Sequence, residues 1–295
     1  MRIKKNLLII GTLLAASVIP AYGQREKNVI YKVGVGELIY TPPSEKSRNS
    51  AGEVILNVTE SLLTGRNSQP QPQFAEAVRA SVMAGLSKVK RFRPFDGGFT
   101  EEELAAGIPA LFVDGTITNI SSISRSETKT DSKGETYTDT FYRGLVSVTV
   151  NIKDAYDGTV ADSFNFNISD TDGDWMASAE NAITSALKRL TSKVATRYNY
   201  KFPLYASIIE AGEAKKNKQK EVYIDLGSAD GVYKGMQFDV FTVRTVAGNE
   251  AKTQIGRIKI EEVQGDNISF CKVNKGGDKI KAALDEGRTL VITSR

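Results

Sequence analysis

Residues 143–168, RGLVSVTVNIKDAYDGTVADSFNFNI, decide the fold. Leu145, Val146, Val148, Val150 and Ile152 make the stretch from Arg143 to Tyr156 rich in β-branched and apolar side chains, as a strand requires. Asp157-Gly158 supplies a tight turn, and Val160 to Ile168 returns antiparallel. The hydrophobic period then changes. From Trp175 to about Tyr198, Ala179, Ala182, Ile183, Ala186, Leu187, Leu190, Val194 and Ala195 recur at three- and four-residue spacing. That is the stripe of a long helix lying on a core, and Asp174 is its expected N-cap. A hairpin followed by an amphipathic helix predicts an α+β protein, in which the sheet hides a face beneath the helix.

Upstream, Ala110 to Ile120 reads as a strand, apolar first and alternating later. A hydrophilic hairpin follows from Ser124 to Thr138, with Lys133-Gly134 at its tip. Val29 to Tyr40 is a further strand, ended by Pro42-Pro43, and Ser44 to Gly52 is polar and loop-like. Gln69 to Gln73 is extended. A helix then runs through Phe74, Ala77, Val78, Val82, Gly85, Leu86 and Val89, stopping near Arg91 to Pro94, and Glu101 to Ala106 suggests one more helical turn.

Beyond Lys201 to Pro203 the texture is that of short strands with glycine-bearing turns and no long helical pattern. They are Tyr205–Ile209, Val222–Leu226, Gln237–Val243, Gly256–Val263, Asn267–Val273 and Thr289–Thr293. Such spacing predicts a small β-barrel or sandwich. Gly227, Gly231 and Gly235 fall every four residues between two of these strands and are expected to build a barrel corner. The lysines at 215, 216, 218 and 220 read as a solvated loop.

The first 23 of the 295 residues read as an export signal. Arg2, Lys4 and Lys5 precede an apolar run from Leu7 to Ile19, too short for a membrane span, and Ala21-Tyr22-Gly23 offers a cleavage site after Gly23. The expected mature chain is periplasmic or secreted. The only cysteine is Cys271, so no lipid-anchor cysteine follows the cleavage point, and neither an anchor nor a membrane span is expected. The formal charge of +4 includes the three leader cations, which leaves +1 and no concentrated basic face for nucleic acid. The absence of histidine removes the commonest general base, Ser-His triads and the usual zinc sites. Cys271 alternates with Ser269 and Val273 on one strand face and is expected to be buried and unreactive.

Several pieces resemble the curli-secretion (CsgG) superfamily, which includes lipoprotein activators of penicillin-binding proteins. They are the helix ending in Leu86-Ser87-Lys88-Val89-Lys90-Arg91-Phe92, the strand opening Phe112-Val113-Asp114-Gly115-Thr116-Ile117, and the hairpin from Val148 to Val160. Residues 224–241 (IDLGSADGVYKGMQFDVF), followed by Ile255-Gly256-Arg257-Ile258-Lys259-Ile260, resemble the C-terminal domain of flagellar assembly protein T. These resemblances imply an α/β sandwich-type domain over 24–202, its mixed or antiparallel sheet packed by two helices. A small all-β barrel, SH3-like or similar, is implied over 203–295. They also imply self-association, since members of the first family form rings. A curli-type pore is excluded, because the hairpin at 124–134 lacks the apolar residue at every second position that a lipid-facing strand needs.

Candidate chemistry is sparse. Asp170, Asp172 and Asp174 alternate as in a calcium loop, yet Trp175 stands where that loop needs glycine and Asn181 where it needs glutamate. Carboxylates two apart in one loop also do not set the separation a glycan hydrolase requires. Trp175, the sole tryptophan, is expected to pack. The polar hairpin 124–141 is the expected recognition element, through Arg125, Lys129, Lys133, Phe141, Tyr142 and Arg143. The expected function is therefore non-catalytic and cofactor-free: an exported protein that binds or scaffolds another envelope component. Regulation of a cell-wall synthase and carboxylate-dependent glycan hydrolysis are the alternatives.

Overall fold

The alternation of 143–168 becomes the middle of a sheet. The computed structural model describes residues 28–41 and 67–295; the expected leader and the loop 44–52 lie outside them. The first sheet contains β1 (Tyr31–Tyr40), β2 (Asn67–Pro70), β3 (Phe92–Asp96), β4 (Ala110–Thr130), β5 (Thr136–Asp154) and β6 (Val160–Ile168). Its order is β3-β1-β4-β5-β6, with β2 paired to the far half of β4. β1 runs parallel to β3 and β4, whereas β4, β5 and β6 are antiparallel, so the sheet is mixed.

Helices α1 (Ala75–Leu86) and α3 (Ala179–Lys201) cover one face, and α2 (Glu101–Ala105) is a short helix closed by a Thr100–Glu103 capping box. Val146, Val148, Val150 and Ile152 are buried in one core with Ile183, Leu190 and Val194 of α3. The intervening Ser147, Thr149 and Asn151 face away and bond to Asn167, Asn165 and Ser163 of β6. Each buried Val or Ile contributes roughly 1.5–3 kcal/mol. A one-residue slip would expose the whole row, so the pattern fixes the register. Gly144 is needed for closeness: a Cβ there would stand 2.4 Å from the Ala182 carbonyl oxygen at the start of α3.

The second sheet contains β7 (Tyr205–Ala206), β8 (Ile208–Ala211), β11 (Glu221–Ile224), β12 (Gln237–Val246), β13 (Asn249–Val263), β14 (Ser269–Lys275) and β15 (Leu290–Ser294). Between β8 and β11 lies the tiny hairpin β9 (Ala214–Lys215) and β10 (Lys218–Gln219), which carries the lysine-rich turn with Lys216 and Asn217 at positive φ. The sheet order is β7-β15-β12-β13-β14-β11-β8. The consecutive segments β7 and β8 therefore form its two edges. At the break between them the Ser207 N–H donates to Asp225 Oδ1 at 2.6 Å, so one bent stretch nearly closes the sheet on itself. Inside are Phe238, Val240, Ile258, Ile260, Ile292 and Cys271, with burial pushing the Cys271 thiol up to about 12. The three corner glycines answer two different needs. Gly231 and Gly235 take positive φ, 69° and 96°, whereas Gly227 is extended and a Cβ there would meet the Gly265 carbonyl oxygen at 2.2 Å.

The molecule is thus mixed α+β, as the sequence predicts, with several corrections. α3 starts at Ala179, and Ser178 rather than Asp174 is its N-cap, accepting from the Asn181 N–H at 3.2 Å. The reason is a tertiary contact: Met176 pairs with Tyr142 as a β-bridge, so the chain at 175–176 is extended and cannot be helical. α1 ends at Leu86, earlier than Val89. The segment where that helix was expected to stop is itself the strand β3, with Pro94 at the sheet edge, where a missing N–H costs no ladder bond. The second region also contains a helix, α4 (Gly277–Asp285), burying Ile280 and Ala283.

Candidate functional site

β4 and β5 are 21 and 19 residues long, paired from Leu111↔Asp154 to Thr130↔Thr136. The predicted polar hairpin is therefore the continuation of the sheet's own central strands. Every residue from Thr128 to Thr138 is exposed. The turn is closed by Asp131, whose side chain accepts from the Lys133 and Glu135 N–H groups at 2.9 Å each, with Gly134 at φ 82°.

Register gives the arm two chemically distinct faces. Ser126↔Thr140, Thr128↔Thr138 and Thr130↔Thr136 put hydroxyls on one face, where Ser126–Thr140 and Thr128–Thr138 approach to 3.1 and 3.4 Å. The other face carries alternating charges. Arg125 meets Glu127 at 2.9 Å, and Lys129 meets Asp139, its diagonal cross-strand neighbour, at 2.9 Å while lying 5.6 Å from the Phe141 ring.

At the base, the structure assembles what the sequence could only scatter. Trp175 meets two guanidinium groups, Arg125 at 4.6 Å and Arg143 at 4.4 Å from the ring. Both arginines reach it because Arg125 pairs with Phe141 and Ile123 with Arg143, which makes the two diagonal neighbours on one face. Their Nε atoms are buried without a hydrogen-bond partner among the described residues, as stacking over an indole leaves them. Arg143 also donates to the Asp170 carbonyl, and Tyr142 and Met176 exchange two backbone hydrogen bonds of 2.7 Å. Of the six predicted docking residues, Arg125, Phe141, Tyr142 and Arg143 are thus half-buried in a joint, and only Lys129 and Lys133 stand out on the arm. Trp175 is the residue that composition alone underrates; its position at the end of the acidic loop gave no sign that β4 and β5 would reach it.

The acidic loop is committed elsewhere. Asp172 accepts from the Ser169 N–H and hydroxyl at 2.8 Å each and from Lys193 at 3.0 Å. These bonds, the Ser169 backbone first, hold its carboxyl down to about 2. Asp174 pairs with Arg189 at 3.2 Å. Asp170 is tied through its carbonyl to Arg143. The calcium constellation is therefore not assembled, and among the described residues no three metal-ligating side chains converge. No helix among those residues is long and apolar enough to cross a membrane.

No protein-family model matches the sequence, and no curated protein matches it. Among solved structures, the PelC dodecamer from Paraburkholderia phytofirmans shares 15% identity over 56% of this chain and 86% of its own, with a TM-score of 0.29. A neuraminyllactose-binding hemagglutinin homolog from Helicobacter pylori shares 14% over 62% of this chain and 90% of its own, with a TM-score of 0.26. A Xanthomonas campestris protein of family DUF330 shares 10% over 62% and 87%, with a TM-score of 0.31. At such scores the likeness carries nothing about activity or assembly.

Proposed function

We propose that this protein is a non-catalytic, exported binding protein of the cell envelope that docks a partner protein through the outer part of the β4–β5 arm. One observation carries the reading: the arm extends the two central strands of the sheet, so its exposed hydroxyl and charged faces are held out on a rigid support. Preorganised polar groups lose little freedom on binding, which favours recognition over a mobile loop. The arginine–tryptophan joint fixes the arm's root to the loop that enters α3. In this reading residues 24–202 form a two-layer α/β sandwich, residues 203–295 a small SH3-like barrel, and copies of the chain self-associate.

The test trims the arm while keeping Arg125, Arg143 and Trp175; at the joint it removes only the Arg125–Glu127 ion pair. Replacing Glu127–Asp139 by Asn-Gly leaves a two-residue hairpin turn between Ser126 and Thr140. The trimmed and intact proteins are cross-linked in cells of the source, and co-purifying proteins are identified by mass spectrometry. A dominant envelope protein captured by the intact chain and lost from a folded trimmed chain is the expected result. The same partners captured by both would remove the arm from the account.

A further inference from the structure

A cleft of about 620 Å³ lies where the turn after α1 and the last turn of α3 face the corner segment 231–237 of the second sheet. Its volume falls within the range of about 300–1,000 Å³ common to small-molecule sites. Six side chains give it its character: Lys88, Lys90, Asn199, Tyr233, Gln237 and Arg295. Three are cationic and none of the lining side chains is acidic. Arg295 is partly compensated by Asp239 at 3.5 Å. Lys88 and Lys90 have no carboxylate within ion-pair distance among the described residues, so their charge is left for something else.

The site is built rather than incidental. Asn199 accepts from the Lys90 N–H at 3.3 Å and donates to the Lys88 carbonyl at 3.3 Å, pinning both lysines' backbone to α3. On the facing side Gly231 and Gly235, both at positive φ, bracket Tyr233 and turn it outward, 57% exposed. The Lys90 ammonium lies 5.2 Å from the centre of that ring. An isolated exposed tyrosine or lysine would mean nothing. Here a flat amphipathic ring, two uncompensated ammonium groups and the exposed Gln237 amide share one concavity.

We propose that this cleft binds a small ring compound carrying a phosphate or carboxylate, of the size and polarity of a sugar phosphate or sugar acid. The lysines take the anion as point charges, the tyrosine takes the apolar face of the ring, and Gln237 takes ring hydroxyls. The cleft has room for more than an inorganic ion, and the exposed face of Tyr233 is what favours a ligand with a ring.

Isothermal titration of the full-length protein with glucose 6-phosphate, glucuronate, glucose and inorganic phosphate tests this. The first two bind at millimolar or better affinity, at least about tenfold tighter than glucose or inorganic phosphate, and binding weakens as salt rises. The double variant Lys88→Gln/Lys90→Gln raises the Kd for glucose 6-phosphate by about tenfold or more, and Tyr233→Ala raises it by a smaller factor. Trp175 fluorescence, remote from the cleft, shows that each variant is folded. Glucose 6-phosphate binding no tighter than phosphate, or binding unchanged in the folded double variant, overturns the proposal, as does absence of binding by either acidic probe.

Discussion

The root and the outer part of the β4–β5 hairpin are the same two strands under opposite physical regimes. At the root, Arg125 and Arg143 stack on Trp175, Tyr142 is bonded through its backbone to Met176, and the side chains are half-buried. From Thr128 to Thr138 everything is exposed, and the side chains bond within the hairpin itself. Polarity does not separate the regions, since serine, threonine, aspartate and glutamate occur in both, although the arginines (125, 143) lie at the root and the lysines (129, 133) on the outer part. What separates them is whether a third segment, the loop 170–178, reaches the strand pair. On the proposed reading, recognition belongs to the part that this loop does not reach.

The widest contrast comes from substituting within each region. Trp175→Ala removes an aromatic side chain together with two cation–π contacts and is expected to cost about 2–3 kcal/mol of unfolding free energy. Thermal and urea unfolding measure this. A loss well under 1 kcal/mol would mean that the joint does not anchor the arm. Arg143→Lys keeps the charge but not the planar stack or the forked donor toward Asp170, and costs about 1–2 kcal/mol.

The loop beyond the joint adds a pH term. The Asp172 carboxyl is held near 2 in the folded state, below its unfolded value, so its contribution is present above about pH 4 and is lost as pH falls toward 2. After allowance for screening it amounts to about 1–2 kcal/mol. Asp172→Asn should therefore lower stability at pH 7 and narrow its difference from the parent at pH 2.5; a gap that stays constant across that range would contradict the assignment. The smallest effect belongs to the arm. Thr128→Val with Thr138→Val should change stability by no more than about 0.5 kcal/mol, in contrast to the joint, while weakening partner capture.

Much of this was legible in the sequence, and the gaps have physical causes. Val146 to Ile152 announced a buried strand face through strict alternation, and α3's stripe announced its docking, because both patterns are local. Val160–Ile168 was read to the residue for the same reason. β3 was hidden by Pro94, which is tolerated only because the strand sits at the sheet edge. The cap of α3 was misread because Asp174 is a good N-cap in isolation, whereas a distant partner, Tyr142, holds the next two residues extended. The hydrophilic hairpin and its Lys133-Gly134 tip were legible, but not that it continues the core strands without a break, since hydroxyl and charged residues carry no apolar face to mark the continuation. The arginine–tryptophan joint brings together residues 32 to 50 positions apart, and no local pattern encodes that.

The most direct test of the docking claim places a photo-activatable cross-linking residue at Thr138, on the exposed arm, and separately at Asn165, on the polar face of β6. Irradiated in cells of the source, the Thr138 position should capture a discrete envelope partner that the Asn165 position does not. Capture at Asn165 with none at Thr138 would move recognition to the sheet and contradict the account of the arm.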